Sequence, residues 1–144
     1  MGTTRLTLEG SPVWPQFAAF AVGVFALVLG VAGLVEAGLH PFTGPAHAQV
    51  LAFDVNGLHN AVHLALGVIG LAAARTLAAA RTFGHAVFFV FGLVAVFGMA
   101  TYPSATLNHL GVNGADNVMH VVVALIGLAI AWGPLPRTRQ HLEG

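Results

Sequence analysis

Cysteine and lysine are both absent from this 144-residue chain, and charge of either sign is scarce. Without cysteine there can be no disulfide, no thiolate metal site and no cysteine nucleophile. All five basic residues are arginines, so Schiff-base lysine chemistry and a P-loop lysine are excluded as well. Asp, Glu, Lys and Arg make up 7% of the residues, against about a quarter in soluble domains. The formal net charge is zero and no basic run occurs, which argues against nucleic acid as a partner. No serine nucleophile stands at a plausible spacing from a base, and no glycine-rich phosphate loop is present, so nothing points to an enzyme.

What is there is hydrocarbon. Hydrophobic residues reach 57% and the mean hydropathy is +0.84. A short chain exposes most of its residues, and so few charges would not keep this one dissolved. The bilayer is the solvent that suits it. Four apolar stretches, about 17–38, 57–74, 82–101 and 115–132, match the roughly 20 helical residues that cross about 30 Å of hydrocarbon. The predicted class is an all-α, polytopic membrane protein whose spans form one domain of two repeated hairpins, about 17–74 and 82–132. Pro12 and Pro15 precede the first span, Pro41 and Pro45 follow it, Pro103 follows the third, and Pro134 and Pro136 end the fourth. The segment from Gln49 to Phe53 reads as loop or as an extension of the second helix.

Orientation follows from the arginines. Arg5 precedes the first span, Arg75 and Arg81 flank the link between the second and third, and Arg137 and Arg139 follow the fourth. The other two loops, Leu39 to Asn56 and Tyr102 to Gly114, hold none. The positive-inside rule therefore predicts a multi-pass protein of the cell membrane with cytoplasmic termini and its His-rich loops outside. Ala46-His47-Ala48 resembles a signal-peptidase site, but it lies past two prolines and the apolar run before it is too long for a signal core. The first span is expected to be retained.

The polar residues sit in a repeat. Val55-Asn56-Gly57-Leu58-His59-Asn60-Ala61-Val62-His63 opens the second span, and Val112-Asn113-Gly114-Ala115-Asp116-Asn117-Val118-Met119-His120 opens the fourth. The match resumes at Ile69-Gly70-Leu71 and Ile126-Gly127-Leu128. Both copies run in the same direction, so a pseudo-two-fold axis along the membrane normal is expected. At 3.6 residues per turn, Asn56, His59, Asn60 and His63 share an arc of roughly 100°. Asn113, Asp116, Asn117 and His120 share the equivalent arc. Gly67 and Gly70, or Ala124 and Gly127, continue each stripe. A polar stripe running into small residues is a helix-packing face, and the second and fourth helices are expected to meet along it. Glu36 and His40, four apart at the end of the first span, are placed to join the cluster, while His47, Asp54 and His109 lie in the outer loops.

Two readings of this cluster stand side by side. In the structural one, Asn56 and Asn113 are N-caps, Asp116 favours the positive end of a helix dipole, and Asn60, Asn117 and the histidines complete a hydrogen-bond network. In the metal one, the i, i+4 pairs His59/His63 and Asp116/His120 converge on a divalent transition metal, zinc or copper, with Asn60 and Asn117 orienting the ligands. Haem b held between His63 and His120 is a narrower alternative. A transport path is narrower still, because the lower stripe offers no relay. His85 reads as interfacial, His141 as part of a polar tail, and Phe88, Phe89, Phe91 and Phe97 as packing or lipid-facing.

The repeated N-G-x-H/D-N-x-x-H resembles that of domain-of-unknown-function family 4383, small bacterial membrane proteins. The resemblance rests on Asn56, His59, Asn60, His63 and Gly67 and on Ala115, Asp116, Asn117 and His120, and it spans Phe17 to Trp132. It implies a four-helix integral membrane protein with no assigned activity. The expected role is a scaffold or subunit of a membrane assembly, with lipid and other membrane subunits or a second copy as partners. The alternative is a protein that binds a metal cation or takes part in redox chemistry.

Overall fold

The computed structural model describes residues 13–102, 104 and 106–135. Arg5, Pro12, Pro103, Pro136, Arg137, Arg139 and His141 lie outside the described residues. Four helices follow one another: α1 Trp14–Ala37, α2 Gly57–Ala73, α3 Leu77–Thr101 and α4 Gly114–Trp132. Three of them (α1, α3 and α4) are long and apolar enough to cross a membrane, and α2 is a shorter apolar helix of 17 residues. The chain is a helix-bundle membrane protein. Large apolar side chains such as Val28, Val35, Phe89, Leu93 and Val118 cover its outer surface, as lipid contact requires.

Helix boundaries follow local chemistry. Pro15 sits at the second position of α1 instead of ahead of it, where a missing N–H costs nothing. The α3 helix begins at Leu77, earlier than the apolar run predicts, because the Thr76 hydroxyl accepts from the Ala79 N–H and caps it. Arg81 is therefore inside α3 and not in the link. Its guanidinium donates to the Ala131 carbonyl at 2.6 Å and the Gly133 carbonyl at 2.9 Å, satisfying the open C-terminal carbonyls of α4. At the same end of the bundle, Gln16 of α1 donates from its Nε2 to the Ala74 carbonyl at the end of α2.

The segment 48–55 is neither helix nor irregular loop. It forms an antiparallel hairpin, β1 Ala48–Val50 and β2 Phe53–Val55, with Gln49 opposite Asp54. Val50 and Val55 point inward and pack on Leu29, with Met119 of α4 against the same cluster.

The packing corrects one sequence-based expectation. The small-residue stripes of α2 and α4 do not meet each other. Instead α2 packs along α1 and α4 along α3, while α2 and α4 hardly approach at the backbone. Gly70 of α2 lies on Gly23 of α1, where a Cβ would come within 2.8 Å of the Gly23 Cα. Gly127 of α4 lies on α3, where a Cβ would come within 2.6 Å of the Phe88 nitrogen. Each glycine stripe thus closes its own helical hairpin, and the two hairpins meet through Val22, Phe83, Val87, Val123 and Ile130.

The two hairpins repeat in burial as well as in motif. Gly84 stands 65 residues after Ala19, and the same interval takes the buried Val22, Ala26, Gly30 and Gly33 to the buried Val87, Phe91, Ala95 and Gly98. It also takes Gln16 to Arg81, the two residues that cap the neighbouring helix. Between α2 and α4 the interval is 57, from His63 to His120. The difference of eight is the length of the β-hairpin, 48–55.

Candidate functional site

The caps account for part of the polar cluster. Asn56 Oδ1 accepts from the His59 N–H at 2.9 Å and caps α2, while its Nδ2 donates to the Gly44 carbonyl. Asn113 Oδ1 accepts from the Asp116 N–H at 3.0 Å, and Asp116 Oδ2 accepts in return from the Asn113 N–H at 2.8 Å, a complete capping box. The same Asp116 oxygen accepts from the Asp54 N–H of β2 at 3.0 Å, pinning the β-hairpin to α4. Asn60 donates to the Gly38 carbonyl just past the end of α1. Its Oδ1 and that of Asn117 lie where a Cβ on Gly33 or Gly98 would collide with them. These asparagines thus sit in notches cut by glycine in α1 and α3.

Left over among the described residues are the buried Oδ1 atoms of Asn60, Asp116 and Asn117, which have no partner, and three histidines. His59, His63 and His120 are buried, and one ring nitrogen from each lies within 4.8 Å of the other two. His59 and His63 stack at 4.6 Å between ring centroids with planes 9° apart. His120 reaches across from α4 to 6.1 Å from His59. No hydrogen bond is made by any of the three rings among the described residues, and the Nδ1 atoms of His63 and His120 are fully buried without a partner. A helical histidine can satisfy Nδ1 on the carbonyl four residues back, as His85 does on Arg81 at 2.7 Å. His63 and His120 do not. Buried polar atoms nearly always have partners, so each exception asks for an explanation.

The structure separates the other expected members from this group. Asp116 is buried on the same helix as His120, but its Oδ2 is engaged by two backbone N–H groups and it falls outside the three-nitrogen cluster. Glu36 and His40 are exposed, as are His47 and His109. The stripe below the histidines, Gly67, Gly70, Ala124 and Gly127, is buried against neighbouring helices. It holds no polar group to carry an ion further.

Sequence reasoning missed the walls of the site. Phe91 of α3 lies 6.2 Å from His63 and 5.3 Å from His120 between ring centroids. With Val62, Val94, Leu110 and the three histidines it lines a half-open cavity of about 70 Å³. Val112, also on the wall, is held by a pair of hydrogen bonds with the Asn108 side chain. The available signal was Phe91 itself, with Phe83 one of two large aromatics among the small residues of the inward face of α3. A cavity of this size matches one or two water molecules at about 30 Å³ each. It has no room for a porphyrin, so the haem alternative does not fit these residues.

A family described as a domain of unknown function, DUF4383, matches residues 16–133. No curated protein and no solved structure matches the chain.

Proposed function

The chain belongs to the DUF4383 family, and with no activity to inherit from it we propose that this membrane protein binds a divalent transition-metal ion through His59, His63 and His120. The observation that carries this reading is the convergence of three buried imidazoles that lack hydrogen-bond partners among the described residues. Neutral imidazole offers one bare nitrogen lone pair, and His₃ suits zinc or copper at about 2.0–2.1 Å. Nitrogens within 4.8 Å of one another reach a common ion by small rotations of the rings. A shared cation takes one lone pair from each ring.

The scaffold reading explains Asn56, Asn60, Asn113 and Asp116, whose hydrogen bonds fasten the helix ends, the β-hairpin and the loops. It leaves the histidines without a role. In the proposed topology all four helices cross the bilayer, with the arginine-bearing end in the cytoplasm and the metal site toward the outer face, in keeping with the positive-inside rule. The two hairpins act as parallel repeats.

Metal analysis of detergent-purified protein tests the proposal. One equivalent of zinc or copper per chain is expected in the wild type, and it should be lost from His63→Ala and His120→Ala variants that still fold. Equal metal in the wild type and both variants contradicts the proposal.

A further inference from the structure

The site is walled differently on its two flanks. Toward α1, the β-hairpin residues Val50 and Val55 close over Leu29 and Met119. Toward α3, the connecting loop carries no such hairpin among its described residues, and the cavity of about 70 Å³ lies there, bounded by Val62, Val90, Phe91, Val94 and Leu110. Val62 and Val90, at its mouth, are 43% and 48% exposed on the outer surface of the bundle. The three histidines form one wall, and every other lining side chain is a hydrocarbon. No fourth ligand from protein belongs to the group among the described residues.

We propose that the metal held by His59, His63 and His120 keeps its fourth coordination position open toward this cavity, where it takes a small monoanion of no more than about three heavy atoms. The inference rests on the metal-binding reading above. Its size limit comes from the cavity, which holds about two waters. Its charge comes from solvation: three neutral imidazoles leave a divalent ion with its full charge in an apolar enclosure, and burying uncompensated charge is costly. A bound anion halves that charge. With nothing else present the position holds water or hydroxide, as open tetrahedral sites do. Exchange is a plain substitution, in which the metal–oxygen bond breaks, the metal–anion bond forms and one water leaves, a bound hydroxide first taking up a proton from solvent.

Cobalt(II), whose visible bands report tetrahedral ligation, is the probe. The full-length protein in detergent is loaded with one equivalent of Co²⁺ and titrated separately with azide and with imidazole. Azide should shift the visible bands in a saturable one-to-one manner, and imidazole, too bulky for the cavity, should not. Val62→Phe and Val90→Phe narrow the mouth from positions on the outer surface that tolerate larger side chains. Each should weaken azide by at least about tenfold while leaving Co²⁺ affinity within about threefold. Co²⁺ bound through histidine with a spectrum that azide leaves unmoved overturns this inference and spares the metal site. The same holds if Asp116→Asn alters the Co²⁺ bands, which would make that carboxylate the fourth ligand. Imidazole binding as well as azide also overturns it. Failure to bind Co²⁺, Zn²⁺ or copper at all overturns both.

Discussion

Replacing His63 with leucine should make the metal-free protein more stable and the metal-loaded protein less stable than the wild type. The imidazole is buried with its Nδ1 unpartnered, and an unsatisfied buried polar group costs about 1–3 kcal/mol. Leucine is close enough in volume to fill the space against Phe91 and His59, and volume-conserving apolar exchanges in a core are tolerated. In chelator the variant should therefore gain about 1–3 kcal/mol. With zinc at a thousandfold excess over the dissociation constant, binding adds about 4.1 kcal/mol to the wild type and nothing to the variant. Detergent-solubilised samples unfolded with and without chelator should show the two curves exchanging order. A destabilised variant in both conditions would mean that His63 has a structural partner after all.

The second large effect concerns the hairpin contacts. Gly127→Ala places a Cβ 2.6 Å from the Phe88 nitrogen and 2.9 Å from the Gly84 carbonyl oxygen. Both neighbours are backbone, so no side chain can swing away and the helices must part. Overpacking of this kind costs about 1–3 kcal/mol, sometimes more. It should also weaken metal binding, because Phe91 lies one turn along α3 from the displaced contact and packs on two of the three histidines. Gly92→Ala on α3 is the control. A Cβ there meets nothing within 4 Å, and alanine is the better helix former by about 1 kcal/mol. Thermal unfolding in detergent should rank Gly92→Ala at or above the wild type and Gly127→Ala well below it. Equal stability of the two variants would show that the α3–α4 contact is not close.

These two sites also mark what could be read in the sequence. The arcs drawn from Asn56 to His63 and from Asn113 to His120 placed the polar groups on buried faces, because helical spacing fixes direction. Direction does not name the partner. Gly67 and Gly127 face α1 and α3, not each other, since close backbone approach is possible with any helix that offers a matching notch. The histidines meet across the centre because their side chains are long enough to span the gap that the backbones leave. Asp116 had the right spacing from His120 for a metal pair, but the capping box claimed its Oδ2 and left Oδ1 outside the three-nitrogen cluster, and the hairpin that shares Oδ2 could not be seen. Strands of three residues with Gln49 and Asp54 facing outward carry too little pattern to separate from a loop. The connection between α1 and α2 is also eight residues longer than that between α3 and α4 in the repeat register, which shifts the frame between α1 and α3. Small residues such as Ala19 and Gly84 exchange along the shared register, so the few apolar identities, Val22 with Val87 and Gly33 with Gly98 among them, did not stand out. Phe91 was legible only as one aromatic among several until the burial of α3 set it apart from the exposed Phe89.

The measurement that bears most directly on the account is X-ray absorption at the metal edge of the zinc- or copper-loaded protein. Three imidazole nitrogens at about 2.0–2.1 Å, with one non-imidazole oxygen or nitrogen completing the shell, is the expected result, and His120→Ala should retain no ion in such a shell. A shell made of oxygen alone, or an imidazole count unchanged in that variant, would contradict the proposal that His59, His63 and His120 hold the ion.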